Sequence, residues 1–158
     1  MEKFCQFHYP HHSIFIMRVS KKFKWEAAHR IPWYKGKCQH LHGHSYKMEV
    51  EFEGETDANG FVIDFHELKK MIQPLVDELD HTTIISEKDT ELKQVFDDKK
   101  WKYFLLPFDS TAENLCKYLS SEITRLHSAT LKQHTISAVE VKIFETETSC
   151  AACKVELK

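Results

Sequence analysis

The stretch HSYKMEVEFE (44–53) alternates without a break. His44, Tyr46, Met48, Val50 and Phe52 share one parity, and Ser45, Lys47, Glu49, Glu51 and Glu53 the other. Side chains leave an extended chain on alternate sides, so this is a strand with one face in a core and one in water. Upstream, KKFKWEAAH (21–29) reads the same way, with Phe23, Trp25, Ala27 and His29 on the apolar side and Lys22, Lys24 and Glu26 on the wet side. A loop over 31–41, punctuated by Pro32 and Gly36, joins the two. The pair predicts an antiparallel ladder with one solvated face.

Downstream, the turn DANG (57–60) leads into a short apolar run, and Asp64 with Glu67 forms a capping box that opens a helix. Leu68, Met71, Ile72, Leu75, Val76 and Leu79 fall at helical spacing along it. Pro74 lies within that run and predicts a kink or break near Gln73. The mixed, charged segment 86–107 reads as a loop with a short helical or strand piece. Ser110 and Glu113 form a second capping box, followed by Leu115, Tyr118, Leu119, Ile123 and Leu126 at helical spacing. Two more alternating stretches close the chain: Val139, Val141, Ile143 and Glu145 on one face, then Ala151, Cys153, Val155 and Leu157. The order ββααββ predicts an α+β fold, an antiparallel sheet with helices on one face. One domain is expected over 16–158, preceded by a loose N-terminal extension over 1–15.

A chain of 158 residues, 42% apolar and 29% charged, suits a single globular domain. Its net charge of −2 supplies no basic field for nucleic acid or a membrane surface. No apolar run is long enough to span a bilayer, and the opening residues lack the h-region and cleavage site of a secretory signal. Five cysteines without framework spacing are read as free thiols in a reducing cytoplasm.

Eleven histidines are the compositional anomaly, and three sit at two-residue steps in KCQHLHGHSY (37–46). His42 and His44 leave the same, apolar side of their strand, and His29 independently falls on the apolar side of its neighbour. A lone histidine on such a face is ordinarily a paired core residue. Three that converge must satisfy six ring nitrogens, and a cation does so most simply, zinc being well matched to neutral imidazole. His40 shares the parity and is a rival ligand that lies farther into the loop.

Cys38 is open to two readings: a fourth ligand closing a structural zinc site, or a free nucleophile or base beside a catalytic one. Asp80 and His81 form either a polar helix terminus or a carboxylate-oriented imidazole for acid–base work. Glu145 stands on an apolar strand face, where an unpaired carboxylate is costly, and calls for a ligand with guanidine-like donors or a buried arginine. Cys150 and Cys153, spaced C-x-x-C without a second pair, are read as structural. The cluster HYPHH (8–12) is expected to be disordered, picking up metal weakly at most.

The segments FKWEAAHR (23–30), CQHLHGHSY (38–46), GFVIDFHELK (60–69), ELDH (78–81), FDSTAEN (108–114) and VKIFETETS (141–149) together resemble the 6-pyruvoyltetrahydropterin synthase family, which includes the 6-carboxytetrahydropterin synthases of queuosine biosynthesis. The resemblance implies a tunnelling fold, in which ββααββ units join their sheets into an oligomeric barrel, typically a hexamer. It implies zinc on His29, His42 and His44, a catalytic Cys38, a catalytic Asp80–His81 pair reaching the site from a neighbouring subunit, and a pterin-anchoring Glu145. The short C-x-x-x-H-x-H spacing is similar to the queuosine branch. The implied activity is a zinc-dependent lyase turning 7,8-dihydroneopterin triphosphate into 6-carboxytetrahydropterin, acetaldehyde and triphosphate. No nucleic acid, membrane, nicotinamide or flavin is expected. Lys22, Lys24, Arg30, Lys35 and Lys37 are candidates to meet the triphosphate. The alternatives are a pyruvoyl-forming synthase with the same parts, a non-catalytic module with a four-ligand structural zinc, and a non-haem iron oxygenase.

Overall fold

The alternation at 44–53 becomes a long ladder. In the computed structural model, which describes residues 15–158, β1 (Met17–His29) and β2 (His42–Gly54) pair antiparallel from Met17 opposite Gly54 to His29 opposite His42. The expected N-terminal extension and the HYPHH cluster fall, Phe15 apart, outside the described residues. On one parity Phe23, Trp25, Tyr46, Met48, Val50 and Phe52 are buried, and Trp25 and Tyr46 stack with ring centroids 5.1 Å apart. The other parity carries cross-strand ion pairs such as Arg18–Glu51 and Lys22–Glu49. Such exposed pairs set register more than they stabilise.

Among the described residues, six strands form one sheet in the order β4-β3-β1-β2-β5-β6. β5 (Ile136–Phe144) pairs antiparallel with β2, and β6 (Cys150–Glu156) with β5, as the ββααββ reading expects. The sheet departs from an all-antiparallel plan on the far side of β1. There β3 (Thr82–Ser86) runs parallel to the end of β1, Ala27–His29 facing Thr82–Ile84, and β4 (Tyr103–Leu106) runs parallel to β3. Between them α2 (Thr90–Lys99) fills much of the segment expected to be a loop with a short helical or strand piece, which thus holds both a full helix and a strand. Every residue of β3 is buried, so it shows no alternation by which to recognise it.

The core lies between one sheet face and two helices. α1 (Phe65–Leu79) is capped by Asp64, whose carboxylate accepts from the N–H groups of His66 and Glu67, and it buries the stripe from Leu68 to Leu79. It runs through Pro74 as one helix, against the expected break near Gln73. Pro74 is exposed, so the carbonyl it leaves without an N–H partner is on the wet side, where water can satisfy it. α3 (Ala112–Leu126) buries Leu115, Cys116, Leu119 and Ile123, and the short α4 (Ser128–Gln133) adds Leu131. The cap of α3 is Thr111, accepting from Asn114, and not Ser110 as its capping-box pattern suggests. Leu92 and Phe96 of α2 form a separate cluster with Ile85, Tyr103 and Leu105, alternate to Ile84, Phe104 and Leu106 in the main core. No helix among the described residues is long and apolar enough to cross a membrane.

Candidate metal centre and active site

Register builds the centre. Because His29 faces His42 and Ala27 faces His44, three imidazoles and one methyl group meet at the end of the β1–β2 ladder. Ring centroids lie 4.7 Å apart for His29–His42, 5.2 Å for His29–His44 and 4.8 Å for His42–His44. One nitrogen from each ring falls within 4.8 Å of the other two, a separation that one ion can bridge.

The remaining ring nitrogens are spoken for. His29 Nδ1 is 2.9 Å from the Ser110 carbonyl oxygen and 3.2 Å from its hydroxyl. His42 Nδ1 is 2.7 Å from the His40 carbonyl oxygen. A carbonyl can only accept, so both rings carry hydrogen on Nδ1 and present a bare Nε2. His44 is hydrogen-bonded to the Glu145 main chain. The fit to a metal is decided at His29 Nε2, which is buried and has no hydrogen-bond partner. Its nearest acid is Glu145 Oε1 at 3.9 Å, too long for a hydrogen bond. Burial, opposed by the Ser110 contact and aided by the two neighbouring histidines, lowers the pKa of His29 to about 4. A neutral ring with a buried, unshared lone pair is suited to donate to a metal ion, and the residues present fit one. His40 is exposed and takes part through its carbonyl, which fixes His42.

Cys38 sits in a single 3-10 turn, Lys37–Gln39, on the loop between the two strands. Its carbonyl accepts from Ile31 N–H at 2.8 Å, which ties the turn back to the end of β1. It is a free, half-buried thiol and is not a member of the three-histidine cluster. Asp80 and His81 follow α1. Asp80 Oδ2 lies 2.9 Å from His81 Nδ1, and its Oδ1 accepts from the Glu26 N–H at 2.9 Å. The Glu26 contact, followed by His81, holds the Asp80 carboxyl below the usual range. The His81 side chain is 79% exposed and lies outside the histidine cluster, so one chain does not bring the pair onto its own centre.

Glu145 falls just beyond β5, half-buried. Burial first, and then the charge of Glu113, push its carboxyl pKa up. Both acids line a cleft of about 230 Å³ with Ile31, Thr111, Ser149 and Cys150. Glu113 and Ser110 border the candidate site, although their spacing in sequence points only to a helix cap. The signal was present in DSTAEN, where two adjacent hydroxyl residues compete for a single cap. Cys150 and Cys153 are free and lie three apart on β6, so they leave opposite faces and cannot chelate together. Cys116 beneath them donates to the Ala151 carbonyl, and burial raises its thiol pKa to about 11.

Comparison with known proteins identifies the family. Residues 18–156 match the family described as 6-pyruvoyl tetrahydropterin synthase. The 6-carboxy-5,6,7,8-tetrahydropterin synthase of Haemophilus influenzae is 30% identical over 142 residues, covering 85% of this chain and 96% of that protein. The protein of the same description from Aquifex aeolicus is 34% identical over 160 residues, covering 87% and 98%. In three dimensions the Plasmodium falciparum 6-pyruvoyl tetrahydropterin synthase superposes with a TM-score of 0.73 at 22% identity, covering 90% of this chain and 99% of that one. At that identity the superposition speaks for the tunnelling fold alone. With the match spanning nearly all the described residues, the chain belongs to the 6-pyruvoyl tetrahydropterin synthase family.

Proposed function

We propose that this chain is a zinc-dependent 6-carboxy-5,6,7,8-tetrahydropterin synthase, a lyase that converts 7,8-dihydroneopterin triphosphate to 6-carboxytetrahydropterin, acetaldehyde and triphosphate. The observation that carries the reading is the buried, unpartnered Nε2 of His29 beside His42 and His44, in a chain whose relatives bear that name. Zinc held by His29, His42 and His44 would supply Lewis acidity toward the substrate's side-chain oxygens. Three ligands of one protein type leave room for a substrate atom, as catalytic zinc sites do.

The other roles belong to the chain's own side chains. Glu145, whose carboxyl pKa is raised by burial, accepts hydrogen bonds from the amino group and ring N–H of the pterin, which supply donors for it. Cys38 moves protons at the substrate's side chain, and His81, oriented through Nδ1 by Asp80, acts as the partner acid and base. Because His81 is exposed away from its own cluster, the pair serves the centre of a neighbouring copy in a homo-oligomer, expected to be a hexamer. The cleft beside Glu145, about 230 Å³, is smaller than the roughly 300 Å³ at which ligand pockets ordinarily begin. A wall contributed by a second subunit would complete it. Incubating the purified zinc protein with 7,8-dihydroneopterin triphosphate and weighing the pterin product tests the reading. The carboxy product supports it, the pyruvoyl product replaces it with the sister activity, and unchanged substrate defeats both.

A further inference from the structure

The peptide unit joining Asp80 to His81 is gripped at both ends. Its carbonyl oxygen, that of Asp80, accepts from Lys102 Nζ at 3.0 Å, and its N–H, that of His81, donates to the Glu26 carbonyl at 2.7 Å. A peptide is planar, so two hydrogen bonds on opposite sides fix the orientation of the plane. That orientation sets where the next residue begins, and His81 begins at φ +55°, in the left-handed region. A non-glycine residue there is strained and persists only when its surroundings hold it. The side chains depend on the same frame, since Asp80 Oδ1 is anchored to the Glu26 N–H and Oδ2 meets His81 Nδ1.

Glu26 belongs to β1 and is part of the ladder. Lys102 is different: it lies in the short connection from α2 to β4, the segment that extends the sheet beyond the ββααββ plan. Its ammonium has no carboxylate partner among the described residues, and its one hydrogen bond there is to the Asp80 carbonyl. Without it, the plane is held from one side only and can rotate to bring His81 to a relaxed, negative φ. The imidazole would then leave its line with Asp80.

We infer that Lys102 is a positioning residue for the Asp80–His81 pair, so that the α2–β4 segment forms part of the catalytic apparatus. The inference rests on the role proposed above for that pair. The experiment compares the zinc-loaded full chain with Lys102→Met, which keeps the aliphatic stem and loses the donor, and Lys102→Arg, which keeps a donor. Turnover of 7,8-dihydroneopterin triphosphate and hydrogen exchange of the His81 amide are measured on each. Lys102→Met is expected to lower kcat about tenfold, leave KM within about twofold and speed His81 amide exchange at least tenfold, with Lys102→Arg recovering most of both. An unchanged kcat, a change confined to KM, or unaltered exchange at His81 overturns the inference. A wild-type protein that does not turn the substrate over defeats the functional reading instead. In that case the exchange comparison decides by itself whether Lys102 holds the pair.

Discussion

His29 and Ser110 stand 81 positions apart in sequence, and the carbonyl of one sits 2.9 Å from Nδ1 of the other. This contact chooses the tautomer of His29 and aims its Nε2 at His42 and His44. The carbonyl belongs to the backbone, so Ser110→Ala removes only the 3.2 Å hydroxyl contact and is expected to weaken zinc binding by less than about tenfold. His29→Ala removes a ligand and should leave less than one zinc per chain after dialysis. Competition against a chromophoric chelator measures both.

Cys38 separates a catalytic centre from a structural one. Cys38→Ala is expected to keep zinc and a wild-type melting temperature while turnover falls about 10²–10⁴-fold, the usual worth of a positioned acid or base. Loss of zinc on the same substitution would make the thiolate a fourth ligand and end the enzymatic account.

Acid should unfold the metal-free protein early. The pKa of His29 is lowered from 6.5 to about 4, and that of His44 is lowered too, chiefly by burial in both. The folded state therefore binds fewer protons than the unfolded chain across this window. Stability from His29 is complete above pH 6.5 and is lost as pH falls toward 4, on the order of 3 kcal/mol in total. Urea unfolding in a chelator at several pH values should show the slope, and His29→Gln should flatten it.

Glu145 is expected to trade stability for recognition. Its raised pKa means that the folded state resists its ionisation, so its contribution weakens as pH rises through the ordinary carboxylate range. Glu145→Gln should thus raise the melting temperature of the free protein at pH 7 by a degree or more. The same change should weaken substrate binding at least tenfold, because an amide offers a charged acceptor no longer. A variant that binds pterin normally would remove Glu145 from the site.

Arg30 follows His29 directly and grips α2 from β1. Its Nε and one Nη meet the two Asp89 oxygens at 2.6 Å each, and Glu91 is 2.9 Å away. Asp89 is 5% exposed, and the bond to Arg30 holds its carboxyl below the usual range. Arg30→Ala strands that buried charge and should cost about 3 kcal/mol by chemical denaturation, more than Asp89→Asn, which leaves no charge unpaired in the interior. Equal losses would show that the carboxylate left unpaired at Asp89 carries no penalty of its own.

Much of the site was legible because strands obey a period of two. The parity of His29 against Ala27, and of His42 and His44 against Tyr46, requires no knowledge of what the strands pack on, and the β1–β2 register then brings the rings together. The Asp64 cap and the buried stripe of α1 are local for the same reason, since capping and helical spacing act within a few residues. What tertiary structure decided lies where two local options were equal in energy or where burial erased the pattern. Ser110 and Thr111 are both competent caps, and only the approach of His29 assigns one to the ring and the other to the helix. Thr82–Ser86 is buried throughout and so carries no alternation, and its parallel partners are set by a crossover that no short window contains. Pro74 is harmless because the fold turns that side of α1 to water. The chain's own residues thus dictate which side chains face inward, while the distant segment each one meets there is chosen by packing, which acts between residues that sequence distance cannot relate.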